Sequence, residues 1–143
     1  MATYRLARAA DIPVLMEIRN NVRENRLVNT VLSTQDYAQA LMVDGRGWVC
    51  EVDDTVVGFA CGRRIQGDVW ALFVRQAHEG KGIGGQLMDR VEAWMRREAT
   101  GMIWLVTSPG TRAERLYRRR GWADRGTTAT GEVRFELPRQ PIP

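Results

Sequence analysis

Four glycines in six residues, Gly80, Gly82, Gly84 and Gly85, separate an apolar run from an amphipathic stretch. The run is Val69-Trp70-Ala71-Leu72-Phe73-Val74, and the stretch extends from Gln86 to Arg97. Ile83, Leu87, Val91 and Trp94 recur every three or four residues, which is helical spacing. A strand therefore feeds a glycine loop that feeds a helix. A plain turn needs one or two glycines; four remove side chains where a backbone must come close to something. The helix that follows presents unpaired N–H groups and its positive dipole end to the same spot. Lys81 adds a full positive charge. The segment reads as a device for holding phosphate.

Two common phosphate loops do not fit. Gly80, Gly82 and Gly85 match the G-x-G-x-x-G spacing of a dinucleotide fold, but that fold needs an acid roughly 20 positions on, at the end of the next strand. The next apolar run, Met102-Ile103-Trp104-Leu105-Val106, ends in Thr107-Ser108-Pro109. A Walker loop would need Gly-Lys-Ser/Thr, which does not follow at the required spacing.

The remaining elements are legible from punctuation and period. A first strand covers Tyr4 to Ala7. A helix runs from Asp11, its cap, to about Glu24, with Pro13 in its first turn. A second helix covers Thr34 to Val43, capped by Ser33 or Thr34. Trp48–Val52 and Thr55–Cys61 flank Asp53-Asp54 as a hairpin. The long helix spans Gly82 to Glu98, and a strand covers Met102 to Thr107. A last helix spans Thr111 to Arg120, with Thr111 and Glu114 as a capping box and Gly121 in the left-handed position past its end. One short strand follows Trp122, and Glu132–Leu137 is the terminal strand. The tail from Pro138 is expected to be loose.

The chain has 143 residues and a net charge of +4. That length suits one domain spanning residues 1–143, with a sizeable core. No apolar run approaches the roughly 20 residues that span a bilayer. Cys50 and Cys61 lie in apolar strand-like runs and read as buried reduced thiols. His78 is the only histidine, which argues against a zinc site. A cytoplasmic, metal-free protein with no membrane partner is expected. Lys81, Arg112, Arg115, Arg118 and Arg119 gather around the glycine loop and the last helix, so the basic charge suits a phosphate-bearing ligand better than nucleic acid.

The segment Val69 to Trp94 resembles motif A of the GCN5-related N-acetyltransferase family, whose loop reads Arg/Gln-x-x-Gly-x-Gly/Ala. Gly82 and Gly84 take the two small positions, and Glu79 stands where the Arg or Gln is expected. Ala113, Tyr117, Gly121 and Trp122 resemble motif B of the same family. The Asn that the family often has seven residues before the Tyr is Gly110 here, so Ser108, Thr111 or backbone would substitute. The element order, βααβββαβαβ plus the short strand, is similar to the acyl-CoA N-acyltransferase fold. The resemblance implies an α/β (α+β) architecture: a mixed, mostly antiparallel central sheet with helices on both faces.

The resemblance also implies an activity: direct transfer of an acetyl group from acetyl-CoA, as co-substrate, to an amine. Leu72, Phe73, Val74, Glu79, Gly80, Lys81, Gly82, Ile83, Gly84, Gly85, Ser108, Ala113 and Tyr117 would then hold CoA. A backbone N–H around Phe73 or Val74 would polarise the thioester. Tyr117 would protonate the leaving thiolate; the alternative is a packed core aromatic. For the base that takes the amine's proton, Glu24, Glu51, Asp68 and a water relay are candidates, with Glu24 favoured because it ends the first helix. Trp48 and Trp70 either wall the acceptor pocket or pack in the core. The acceptor is a small-molecule or protein amine, and a homodimer is compatible with the sequence. Two other readings stay open: a non-catalytic CoA-binding regulatory module, and an acyltransferase acting on a nucleic-acid-linked amine such as a charged tRNA.

Overall fold

The computed structural model describes residues 1–21 and 32–139. Strand β1 is Ala2–Leu6, followed by a tight turn over Ala9–Asp11 and helix α1, Ile12–Asn21. Asp11 does not cap α1 as a first-turn acceptor. Its carboxylate reaches back to the Arg8 N–H at 2.7 Å and takes both ends of the Arg5 guanidinium at 2.8 and 2.9 Å. Helix α2 (Thr34–Ala38) starts at Ser33, whose hydroxyl accepts from Asp36 N while Asp36 accepts from Ser33 N, a complete capping box. The chain then widens into a π-helical turn over Gln39–Asp44. Strands β2 (Gly45–Val52) and β3 (Thr55–Arg63) join through Asp53 and Asp54, both at positive φ (51° and 63°), the backbone of a two-residue hairpin turn. Strand β4 is Val69–Val74, α3 is Ile83–Glu98, β5 is Ile103–Thr107, α4 is Arg112–Arg119, β6 is Ala123–Thr127 and β7 is Val133–Leu137.

The strands form two antiparallel sheets, β1-β2-β3-β4 and β5-β7-β6. Among the described residues they meet through one parallel bridge, Asp68 beside Trp104, where the Trp104 N–H donates to the Gly67 carbonyl at 2.9 Å. Beyond that point β4 and β5 part. Part of the reason lies in β4. Gly62 pairs with Val69 and Cys61 with Ala71, so Trp70 is an extra residue, and a bulged strand bends. At this bulge a Cβ on Gly62 would lie 2.5 Å from Met95 Sδ on α3, so a larger residue would force the methionine to move.

Helices cover both faces of the first sheet. On one face Leu15 and Ile18 of α1 and Tyr37 of α2 pack on Val49, Phe59, Ala71 and Phe73. On the other, Leu87, Met88, Val91, Trp94 and Met95 of α3 form a core that continues through Ile103 and Leu105 to Phe135 of the second sheet. Cys50 and Cys61 are free and buried. The tail is tied further than expected: Arg96 Nη1 donates to the Pro138 carbonyl at 2.8 Å, and Arg139 donates to the Gly101 carbonyl at 3.1 Å. No helix among the described residues is long and apolar enough to cross a membrane.

Candidate active site

A cavity of about 240 Å³ fills the gap between β4 and β5. Val69 to Val74 form one wall. The loop His78, Glu79, Gly80, Gly82 and the first turn of α3 form its mouth, and Val106, Thr107 and the inner face of α4 form the opposite wall.

The mouth is shaped by backbone. Gly80 and Gly82 lie in the left-handed region (φ 76° and 83°), and Gly82 is the N-cap of α3. No atom lies within 4 Å of where a Cβ would sit on Gly82, so conformation rather than packing demands glycine there. At Gly84 the constraint is packing: a Cβ would lie 3.3 Å from Leu116 Cδ2, so the leucine would have to shift slightly. The N-cap supplies no side-chain acceptor, and the first turn of α3 carries no acid. The leading N–H groups therefore have no capping side chain, the arrangement that suits an anion at a helix N-terminus.

Along β4, the Arg75 N–H donates to the Val57 carbonyl of β3 at 2.8 Å. Successive strand amides alternate in direction, so the Val74 N–H points the other way, toward the gap. Of the two amides expected to polarise a carbonyl, Val74's is the one placed to do it; that of Phe73 points to β3.

Helix α4 is held at its start by Thr111, whose hydroxyl accepts from Glu114 N at 3.2 Å and donates to the Ser108 carbonyl at 2.9 Å. Glu114 reaches past the N-cap to Gly110 N at 2.7 Å, so the expected capping box is only half formed. At the other end Gly121 has φ 87°, as expected. Tyr117 is 4% exposed, lines the cavity, and packs against Trp122 and Phe135 with ring centroids 5.8 and 5.9 Å apart. Tyr117 therefore packs as a core aromatic and also lines the cavity. Burial pushes its phenol pKa well up, and the Glu92 carboxylate adds to the shift. Glu92 is itself fixed by Arg120 Nε at 2.6 Å and by Trp122 Nε1 at 3.0 Å.

Most of the expected CoA-holding residues come together on the cavity: Leu72, Phe73, Val74, Glu79, Gly80, Gly82, Ile83, Gly84, Gly85, Ala113 and Tyr117. Lys81 and Ser108 do not line it. Lys81 is exposed, and Ser108 is buried beneath the α4 cap, where Thr107 and Thr111 reach the cavity instead. Arg112, Leu116 and Arg119 also line it, and their spacing of four and three residues is the helical-face signal that marks them. Glu79 pairs with Arg112 at 3.0 Å. His78 faces the cavity, and its Nδ1 is buried with no hydrogen-bond partner.

The proposed bases separate. Glu24 lies outside the described residues. Glu51 accepts from Arg5 Nε at 3.0 Å, on the β1–β2 pair. Asp68 is gripped by Arg63 at 2.8 and 2.7 Å, at the closed end of the gap. Neither lines the cavity, and each serves an ion pair instead. Trp70 lines the cavity and stacks edge-on against Tyr37 at 5.2 Å, whereas Trp48 packs on Trp94 at 6.2 Å and belongs to the core.

Comparison with known proteins places this geometry. Residues 15–122 match the model of the Acetyltransferase (GNAT) family. No curated protein matches the chain. Among solved structures, an N-acetyltransferase from Staphylococcus aureus Mu50 superposes with a TM-score of 0.81 at 17% identity, covering 98% of this chain and 99% of its own. The ribosomal-protein-S18-alanine N-acetyltransferase of Escherichia coli gives 0.77 at 15% identity, covering 100% and 97%. A phosphinothricin acetyltransferase from Sinorhizobium meliloti, solved in complex with AcCoA, gives 0.80 at 18% identity, covering 96% and 88%.

Proposed function

Since the chain belongs to the acetyltransferase (GNAT) family, we propose that it moves an acetyl group directly from acetyl-CoA to a primary amine. The observation that carries this is the cavity between β4 and β5. It runs from an uncapped helix N-terminus at Gly82 to the buried phenol of Tyr117.

The phosphates of acetyl-CoA suit the first-turn N–H groups of α3, with Arg112 and Arg119 at hand on α4. The pantetheine arm suits the apolar walls, Leu72 and Val74 on one side and Ala113 and Leu116 on the other. These side chains keep water from the thioester. The Val74 N–H stabilises the charge that builds on the carbonyl oxygen as the amine nitrogen attacks. The C–N bond forms, the C–S bond breaks, and Tyr117 gives its proton to the departing sulfur. Burial raises the phenol's pKa and makes it a weaker acid, so the transfer depends on a sulfur held close to the hydroxyl. The proton from the amine goes to Glu24 or to water, since Glu51 and Asp68 are committed elsewhere.

The acceptor is a small-molecule or protein amine. Nearly the same fold serves a ribosomal-protein alanine in one neighbour and is named for phosphinothricin in another, so the fold does not select between them. Two free, buried thiols fit a reducing, cytoplasmic setting. The test is release of free thiol from acetyl-CoA across a panel of polyamines, amino acids, aminoglycosides and peptides. Amine-dependent release is expected. Tight CoA binding with no release for any amine would instead mark a regulatory binding module.

A further inference from the structure

We propose that Glu79 sets how tightly CoA is held and how fast it leaves, by competing with the ligand's phosphates for Arg112. This rests on the assignment of the Gly80–Gly85 loop to those phosphates. Glu79 comes from the loop ahead of α3, and Arg112 is the first residue of α4, so their 3.0 Å ion pair joins the two walls across the mouth of the cavity. One guanidinium nitrogen, Nη1, lies 3.9 Å from where a Cβ would stand on Gly80, so the arginine rests over the glycine loop itself.

The pair is built to yield. The Arg112 side chain is 58% exposed and that of Glu79 24%, and an ion pair this open to water contributes little. A phosphate seated on the first turn of α3 offers Arg112 a doubly hydrogen-bonded partner of higher charge. Arg112 changes partner, and the Glu79 carboxylate is left facing an anion. Both steps work against binding. In the family pattern this position carries Arg or Gln, neither of which would compete. Acetyl-CoA and product CoA share the phosphates, so the same carboxylate hastens product departure, a step that limits many enzymes.

The experiment measures Kd and koff for CoA with the wild type, Glu79→Gln, Glu79→Ala, Arg112→Gln and the Glu79→Gln/Arg112→Gln double variant at low and moderate salt. Both Glu79 variants should tighten CoA by about fivefold, mostly through slower dissociation. With Arg112 already replaced, the same Glu79→Gln change should matter less than about twofold. Unchanged or weaker binding on loss of Glu79 would overturn the proposal. Equal tightening with and without Arg112 would also overturn it, because Glu79 would then act through space alone. A wild type that binds no CoA at millimolar concentration would instead sink the phosphate-loop assignment beneath it.

Discussion

Each end of the β4–β5 seam carries an arginine–carboxylate pair, and the two pairs are held differently. At the closed end Arg63 grips Asp68 with two hydrogen bonds of 2.8 and 2.7 Å, and the aspartate side chain is only 9% exposed. Beside it Trp104 Nε1 donates to the Gln66 carbonyl and the parallel bridge forms. At the open end Glu79 meets Arg112 at 3.0 Å across a cavity, with the arginine side chain 58% exposed. A pair whose carboxylate is buried fixes geometry because breaking it leaves a charge poorly solvated; a pair whose arginine stands in water gives way more readily to a better partner. Substitutions at the open end should therefore change chemistry and ligand affinity while costing little stability, and those at the closed end should do the reverse.

The largest expected effect is at the open end. Tyr117→Phe keeps the ring that packs on Trp122 and Phe135 and removes only the hydroxyl. Turnover should fall by about 10²–10⁴, the range for a lost general acid, while CoA affinity and melting temperature stay nearly constant. Pre-steady-state kinetics at saturating acetyl-CoA, in which chemistry is observed directly, is the measurement. An unchanged chemical step would leave Tyr117 as a wall and nothing more.

Next is Gly82→Asp. It places a carboxylate at the N-cap of α3, in open space and at a positive φ that aspartate tolerates better than most residues. The carboxylate repels a phosphate at the first turn of α3 and the side chain obstructs its approach, so CoA binding should weaken by at least about 100-fold, with only about 1 kcal/mol of stability lost to the left-handed backbone. Calorimetry beside thermal melting separates the two. Gly84→Asp is the poorer probe, since its side chain meets Leu116 and disturbs packing as well.

These two substitutions concern the part of the molecule that was most legible in sequence. Glycine density and helical periodicity are local signals, and they located β4, the loop, α3 and Tyr117 within a residue or two. The gap between β4 and β5 was not legible. It depends on Trp70 being bulged out of register with β3 and on β5 pairing with β7, a partner far along the chain. The partners of the acids were hidden for the same reason. Glu51 and Asp68 read as free carboxylates until the fold brings Arg5 and Arg63 to them. Lys81 and Ser108 sit in the right motifs but outside the cavity wall. Motif membership fixes a residue's place in the chain, while side-chain direction depends on the turn that carries it.

At the closed end, Asp68→Asn removes the charge and leaves the Arg63 guanidinium, partly solvated, without its counter-ion. A loss of about 1–3 kcal/mol is expected, less than for a fully buried pair because Arg63 reaches some water. That corresponds to a melting temperature lower by roughly 3–10 °C. Turnover per folded molecule should stay within about twofold, since Asp68 is paired away from the cavity. A large drop in turnover with unchanged melting would reverse the comparison and restore Asp68 as a base.

The smallest effect lies outside the seam and tests whether a well-held ion pair elsewhere behaves like the closed end. Arg5 donates two hydrogen bonds to Asp11 and one to Glu51, joining β1, β2 and the start of α1. The Arg5 bonds, more than the opposing burial, hold the Asp11 carboxyl below its usual range. The sign follows from that direction. An acid whose pKa is lower when folded stabilises the protein above its unfolded value, near 4, and the contribution fades as pH falls through the folded value. Asp11→Asn should therefore lower stability by about 1–2 kcal/mol at pH 7, the scale of a charge-assisted hydrogen bond. The gap from the wild type should narrow progressively below about pH 4, where the wild-type aspartate also loses its charge. Urea melts of both proteins at pH 7, 5, 4 and 3 measure this, with Glu51→Gln alongside as a more exposed control. A gap that stays constant down to pH 3 would mean that Asp11 contributes through packing, and that only the seam's closed end relies on a held charge.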